Sequence, residues 1–320
     1  MLEIVLPFGL PPGELAKDLI GQLKLPNLTR LLSRAEPCQS EPSAPYAAQL
    51  PHEAWLARRL GPAHLNACGL AQRLNLTPAA GHWFIIAPIH LHIARDHLVL
   101  TDQRQLNLSP EHARALFELA ASCFAEAGLE LVYGDTRQWL LRADAWGDLQ
   151  TASLDAACGH NIDIWLPKGQ MARAWRKLQN EVQMVWFEHP ANLARQELGL
   201  PPVNSIWLGG GCALPDPATP GPTKAPAPRL LPAAWHGQPF DAAQDAILYL
   251  DQLIGPALAA DWSEWLHRFA ELDQTSLVAA LTQKQCTLVL SHSLAQRSWL
   301  CRQSNSWRFW HKPGLAPLLP

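Results

Sequence analysis

The seven cysteines, Cys38, Cys68, Cys123, Cys158, Cys212, Cys286 and Cys301, lie far apart and include no C-x-x-C pair. That excludes a zinc ribbon and gives no sign of a disulfide framework; a reduced compartment fits best. Charge of one sign is also scarce. With 25 Lys+Arg against 28 Asp+Glu the formal net charge is -3, so no global basic field exists to hold a nucleic-acid backbone or an anionic membrane surface. Uninterrupted apolar runs of about eighteen residues are missing, as is a cationic start leading into an apolar stretch, which argues against a membrane span and a signal peptide. The expectation is a soluble, cytoplasmic protein that binds neither nucleic acid nor membrane. There is no internal repeat.

Tryptophan, by contrast, is abundant: 14 residues against three tyrosines. Such residues read first as core and interdomain packing. At 320 residues the chain has room for one large α/β domain or two smaller ones.

Along the chain, "LEIVLPF" reads as a short buried strand ending in a Gly/Pro turn, and "GELAKDLIGQLKLPNLTRLLSRA" as helix interrupted at Pro26. "EPCQSEPSAPYAAQLP" reads as a loop, and "HEAWLARRL" as helix. Between Gly81 and Arg142 the pattern is strand, strand, helix, strand, strand, with Ser109 capping the helix and Pro110 in its first turn. "ARAWRKLQNEVQMVWFEH" is amphipathic, with Trp175, Leu178, Val182, Val185 and Trp186 on one stripe. "NSIWLGGG" is a strand with a glycine-rich exit. The Pro-rich stretch at 213–232 reads as a linker. Beyond it, "DAAQDAILYLDQLIGPALAA" and "WSEWLHRFAEL" read as helices, "CTLVLSHS" as a core strand and "SWLCRQSNSWRFWHKP" as terminal strands.

Candidate chemistry is sparse. His90 and His92 share one face of a strand, with His97 further along, which could supply two metal ligands but lacks a third nearby. The glycines of "WLGGGC" fit close packing or a turn better than a phosphate cradle, because no helix follows them. "HEAWL" lacks the second histidine of a metalloprotease helix. Ser291, His292 and Ser293 form a polar cluster with neither a nucleophile elbow nor an oxyanion loop.

One segment carries a resemblance. "HPANLARQELGLPPVN" resembles the H-P-x-N-x-x-R-x-x-x-G-L-P-P-A-N stretch of archaeal-type cofactor-independent phosphoglycerate mutases, of the alkaline phosphatase superfamily, matching at His189, Pro190, Asn192, Arg195, Gly199, Leu200, Pro201, Pro202 and Asn204. "KLPNLTRLLSRA", "TDQRQLNLSPEHARAL" and "YGDTRQWLLRAD" resemble further family segments in the same order, so the resemblance spans roughly residues 1 to 212. More narrowly, the whole chain resembles a bacterial family of RpfE-type regulatory proteins. The resemblance implies an α/β fold: an alkaline-phosphatase-like three-layer domain with a central, mostly parallel sheet (1–80 and 165–320), and a smaller α+β domain inserted at 81–164.

The departures from the family decide the expected function. Where the resemblance puts a metal-binding Asp at the end of the first strand, this chain has Phe8; where it puts the nucleophilic serine, this chain has Pro51, His52 and Glu53. A benzyl group cannot ligate a divalent cation. Of the implied phosphate clamp Arg104, Arg137 and Arg142 remain, whereas Gln103, Asn107 and Gly209 stand in for arginines. The expectation is a catalytically degenerate regulatory or ligand-binding protein without a cofactor, binding a phosphorylated metabolite or a protein partner. Its candidate cleft residues are Arg104, Arg137, Arg142, His189, Asn192 and Arg195. One alternative is a working Mn- or Zn-dependent mutase or phosphatase with relocated ligands drawn from His52, Glu53, His90, His92 and His292. Another is a protein-interaction scaffold using the Trp-rich C-terminal region and the Pro-rich segment.

Overall fold

The structure is a computed structural model that describes residues 1–36, 38–214, 228–235, 237, 245–307 and 314–319. In chain order it opens with β1 (Leu2–Leu6), α1 (Ala16–Gln22), α2 (Pro26–Ser33), β2 (Gln39–Pro42), α3 (Pro51–Leu60) and α4 (Ala67–Arg73). There follow β3 (Gly81–Ile89), β4 (Leu91–Ala94), β5 (His97–Leu100), α5 (Pro110–Glu126), β6 (Glu130–Tyr133), β7 (Trp139–Arg142), α6 (Leu154–Ala157), α7 (Ala172–Phe187), α8 (Pro190–Glu197) and β8 (Ser205–Leu214). The last part comprises β9 (Arg229–Leu231), β10 (Ala246–Tyr249), α9 (Ile254–Leu258), α10 (Trp262–Gln274), α11 (Ser276–Ala280), β11 (Gln285–Ser291) and β12 (Ala295–Arg302). Among the described residues no helix is long and apolar enough to cross a membrane.

Two compact units form. The first takes residues 1–45, 50–55 and 225–320. Its sheet has the order β2-β12-β11-β1-β10-β9, parallel from β9 through β10 and β1 to β11 and antiparallel from β11 through β12 to β2. The central sheet is therefore mixed. All five residues of β1 are buried, as expected of a strand covered on both faces. Leu25, which precedes α2, has no capping side chain, and the buried Asp273 of α10 substitutes for one: its carboxylate accepts from the backbone N–H of Leu28 at 2.7 Å and of Asn27 at 3.2 Å.

The second unit takes residues 46–49 and 56–224. Its sheet has the order β6-β7-β3-β8, antiparallel throughout, with a β4–β5 hairpin beside it in sequence. This unit is wider than 81–164 because β8 pairs with β3 along nearly its whole length, from Gly81 opposite Leu214 to Ile89 opposite Ser205. α5 and α7 bury Leu116, Phe124, Trp175, Val182 and Trp186 together with Phe84, Trp139 and Leu141 of the sheet. The tryptophans behave as core residues: Trp83, Trp139, Trp175, Trp186 and Trp265 are fully buried. Ser109 caps α5, accepting from the His112 N–H at 3.2 Å.

Several local expectations are corrected. The stretch 246–249, expected within a helix, is strand β10: four residues between two partners, too short and too evenly apolar for its periodicity to separate the two states. β2 is an exposed edge strand inside the expected 36–51 loop. Of the expected linker, residues 215–227 lie outside the described residues, and 229–231 form β9. The terminal strands reduce to β12, followed by a 3₁₀ turn at Gln303–Trp307, and 308–313 lie outside the described residues. On α7 the stripe turns slightly from its expected course: Val185 is exposed, and Gln179 is buried, its amide donating to the Ile206 carbonyl at 2.8 Å. The glycines after Trp207 lie inside β8. A Cβ at Gly211 would sit 2.7 Å from Phe84, and Gly210 has φ +58° with Ile85 2.9 Å from where its Cβ would be, so close packing on β3 accounts for both.

Contrary to the reading of scattered, unbridged cysteines, Cys68 of α4 and Cys212 of β8 form a disulfide, with Cα atoms 6.4 Å apart and 144 residues of separation.

Candidate functional site

At the end of β1, Phe8 adopts φ +55° in the left-handed region and is buried. Its ring meets the His52 ring edge-on with centroids 5.8 Å apart, and His52 lies 6.4 Å from the Tyr249 ring at the end of β10. His52 is itself 1% exposed. This is the carboxyl edge of the parallel strands, where open α/β sheets place their ligands. Two aromatic rings around one imidazole do not fit a pair of divalent cations, which need several anionic or imidazole donors. Among the described residues no three His, Cys, Asp or Glu side chains gather into a possible metal site.

The other histidines are placed separately. His90 Nδ1 donates to the Pro202 carbonyl at 2.7 Å, and His92 Nδ1 lies 3.1 Å from the Thr101 hydroxyl; the two rings stack at 6.2 Å. His292 belongs to the other unit, where its Nδ1 accepts the Leu294 N–H at 3.1 Å and closes a turn.

Three of the six expected cleft residues turn out to be clamps. His189 caps α8, its Nδ1 accepting the Ala191 N–H at 3.1 Å. Asn192, 1% exposed, donates to the carbonyls of Trp186 and Val203 and accepts the Val203 N–H at 2.8 Å. Arg195, fully buried, donates to the carbonyls of Pro201 and Leu106. Asn204 adds a two-way bond with Leu91, donating to its carbonyl and accepting its N–H, both at 2.8 Å. His189, Asn192, Arg195 and Asn204 thus all bond backbone groups around a turn whose prolines cannot donate.

The three arginines separate as well. Arg142 pairs with Asp144 at 3.1 Å on β7. Arg104 and Arg137, however, share a cavity of about 340 Å³ with Pro88, Gln103, Leu106, Asn107, Leu108 and Thr136. Arg104 makes a bidentate pair with Asp155, at 2.9 and 2.7 Å, and a third bond to the buried Asp102 at 2.9 Å. Burial alone would lower its pKa, yet the two carboxylates hold it above the ordinary guanidinium value. Its charge is spent inside the wall. Arg137 is exposed and held only by its backbone: its N–H donates to Asp135 at 2.7 Å and its carbonyl accepts from Gln103 at 2.8 Å, while Gln103 also donates to Pro88. Among the described residues its guanidinium makes no ion pair. Arg195 reaches the cavity only indirectly, by bonding the carbonyl of the lining residue Leu106.

Asp102 and Asp155 were missing from the sequence-based set. Asp102 precedes the arginine by two residues and caps its 3₁₀ turn, a short-range signal; Asp155 is 51 residues away and had none.

No protein-family model matches this chain, and no curated protein does. Among solved structures, the PH0037 protein from Pyrococcus horikoshii is 10% identical, with a TM-score of 0.51 over 94% of this chain and 87% of that one. A cofactor-independent phosphoglycerate mutase from Thermoplasma acidophilum DSM 1728 is 14% identical, with a TM-score of 0.34 over 94% of this chain and 89% of that one. The first likeness is one of fold alone, and the second, at its TM-score, adds nothing to it.

Proposed function

We propose that this chain is a regulatory binding protein on a phosphoglycerate-mutase-like scaffold, and that it takes a small phosphorylated metabolite in the cavity at Arg137. The observation that carries the binding half is a guanidinium without a counter-charge on a 340 Å³ cavity whose other arginine is already neutralised. A guanidinium suits phosphate because its planar fork bonds two oxygens at once. Thr136 and Asn107 line the same space and offer neutral hydrogen-bonding groups. The observation that carries the non-catalytic half is the Phe8 ring packed on His52 at the strand end where the resemblance puts a metal ligand. A binding protein of RpfE type, acting through a bound metabolite, is the regulatory form of this reading.

The test has two arms. Calorimetric titration with 3-phosphoglycerate and with inorganic phosphate should show saturable binding to the wild-type chain and none to Arg137→Ala. Stoichiometric Mn or Zn in protein purified without chelator, together with mutase or phosphatase turnover, would sink the non-catalytic reading.

A further inference from the structure

The antiparallel register of β11 and β12 sets Cys286 directly opposite Cys301, one pair in from the open end of the hairpin at Gln285 and Arg302. Both are buried, at 2% and 3% exposure, and neither is in a disulfide. As an opposed cross-strand pair they share one face of the sheet, and the Cys301 thiol donates to the Trp299 carbonyl at 3.9 Å. Directly opposed antiparallel residues have Cα atoms about 4.5 to 5.5 Å apart, inside the roughly 4.4 to 6.8 Å that a disulfide spans. Closing this bond needs little backbone movement.

A buried cation stands beside the pair. Arg34 follows α2 and is 8% exposed; the ionisable groups that act on it are Arg30, which opposes its charge, and the two thiols, which favour it. Its backbone is fixed to the same strand end, its carbonyl accepting from the Arg302 N–H and the Asn305 amide. The Cys301 hydrogen bond lowers the Cys286 pKa, burial opposes that, and Arg34 lowers it further. Cys301 is correspondingly held high by its bond to Cys286 and by burial. The two thiols are thus shifted in opposite directions, Cys286 down and Cys301 up. Cys158 shows the opposite environment: burial, Asp102 and Asp155 all push its thiol up.

We propose that Cys286 and Cys301 form a reversible dithiol–disulfide site, oxidised by peroxide and activated by Arg34. The Cys286 thiolate attacks a peroxide oxygen; the O–O bond breaks, the departing hydroxide takes up a proton to become water, and Cys286 is left as the sulfenic acid. The Cys301 sulfur then attacks that sulfur. The S–S bond forms as the S–O bond breaks, and the hydroxyl leaves with the Cys301 proton as a second water. Two thiols and one hydrogen peroxide become one disulfide and two waters, with two electrons passing from sulfur to oxygen. A small thiol reverses the reaction by two exchange steps. Because Leu2 flanks Cys286 and Ala35 flanks Cys301, access requires local opening of this part of the sheet.

The full folded chain, first reduced, would be exposed to hydrogen peroxide, quenched by alkylation, digested and mapped by mass spectrometry. A Cys286–Cys301 cross-linked peptide two hydrogens lighter should form before Cys158 reacts and should disappear on adding dithiothreitol. Peptide identity separates it from Cys68–Cys212. Cys301→Ser should leave Cys286 trappable by dimedone as the sulfenic acid. Arg34→Gln, shown folded by circular dichroism, should slow bridging severalfold by reducing the thiolate fraction at Cys286. Cys286 and Cys301 both still alkylatable once the exposed Cys38 is fully oxidised, or bridging only in denaturant, would overturn the site, and these outcomes are read on the wild-type chain. An unchanged rate in folded Arg34→Gln would overturn the activating role.

Discussion

The indole N–H of Trp265 donates to the carbonyl oxygen of Phe8 at 2.9 Å. Trp265 is fully buried on α10, so this bond anchors the backbone just where the chain turns out of β1 with a left-handed residue. The Phe8 ring is held from one side by His52 and its carbonyl by Trp265. An aromatic side chain at a positive φ is uncommon and needs such support.

Phe8→Ala should therefore lower unfolding free energy by about 3 kcal/mol through loss of the ring. Phe8→Gly loses the same ring but relieves the left-handed backbone, worth roughly 1–2 kcal/mol, so glycine should be the milder change. Urea denaturation of both variants decides the order. Alanine outscoring glycine would mean that the backbone conformation is not the constraint.

Arg104→Ala and Arg137→Ala should part company. Removing Arg104 leaves Asp102 and Asp155, 2% and 15% exposed, without their cation. The expected cost is about 2 kcal/mol, below the roughly 3–5 kcal/mol of a fully buried pair because the Arg104 side chain is 37% exposed and partly screened. Arg137→Ala should leave the thermal midpoint unchanged and remove anion binding. A stable Arg104→Ala protein would contradict the pairing.

Asn192→Ala should cost about 3 kcal/mol, since the Trp186 and Val203 carbonyls and the Val203 N–H lose their partner. Arg195→Leu should cost a similar amount and also weaken anion binding, because Leu106 in the cavity wall loses its anchor. Chemical denaturation and titration on the same preparations check both effects. Full stability of Asn192→Ala would argue for a ligand role instead.

His64, His90, His160, His189 and His292 are each held below the ordinary imidazole range, chiefly by burial. Near and below about pH 6.5 the unfolded chain then binds more protons than the folded one. Stability should be full above that pH and decline as pH falls through it, levelling once the folded imidazoles are protonated too. Urea midpoints across about pH 5 to 8 test this, with His90→Gln and His292→Gln each flattening the slope. A midpoint that rises on acidification would contradict the assignment.

What the sequence made legible follows the range of the signal. β1, the Pro26 break between the first helices and the Ser109 cap were readable because each rests on neighbouring residues. β10 was not: a four-residue apolar run buried between two strands has no periodicity of its own. The H-P-x-N motif is legible in the sequence, but what Asn192 and Arg195 bond is not, since such side chains serve buried carbonyls as readily as they would serve a ligand. Arg104 and Arg137 were candidates in the sequence, but the neutralising Asp155 and the Cys68–Cys212 bond lie across many intervening elements that spacing cannot bridge.

The position of β1 also bears on synthesis. Leu2 pairs with Ala246 on one side and Cys286 on the other, so this central strand is made more than 200 residues before either neighbour. The unit spanning 56–224 leaves the ribosome in between and can collapse at once, whereas a pentapeptide apolar but for Glu3 waits without partners. During that interval LEIVL is a ready site for holding chaperones, and production should suffer from their depletion.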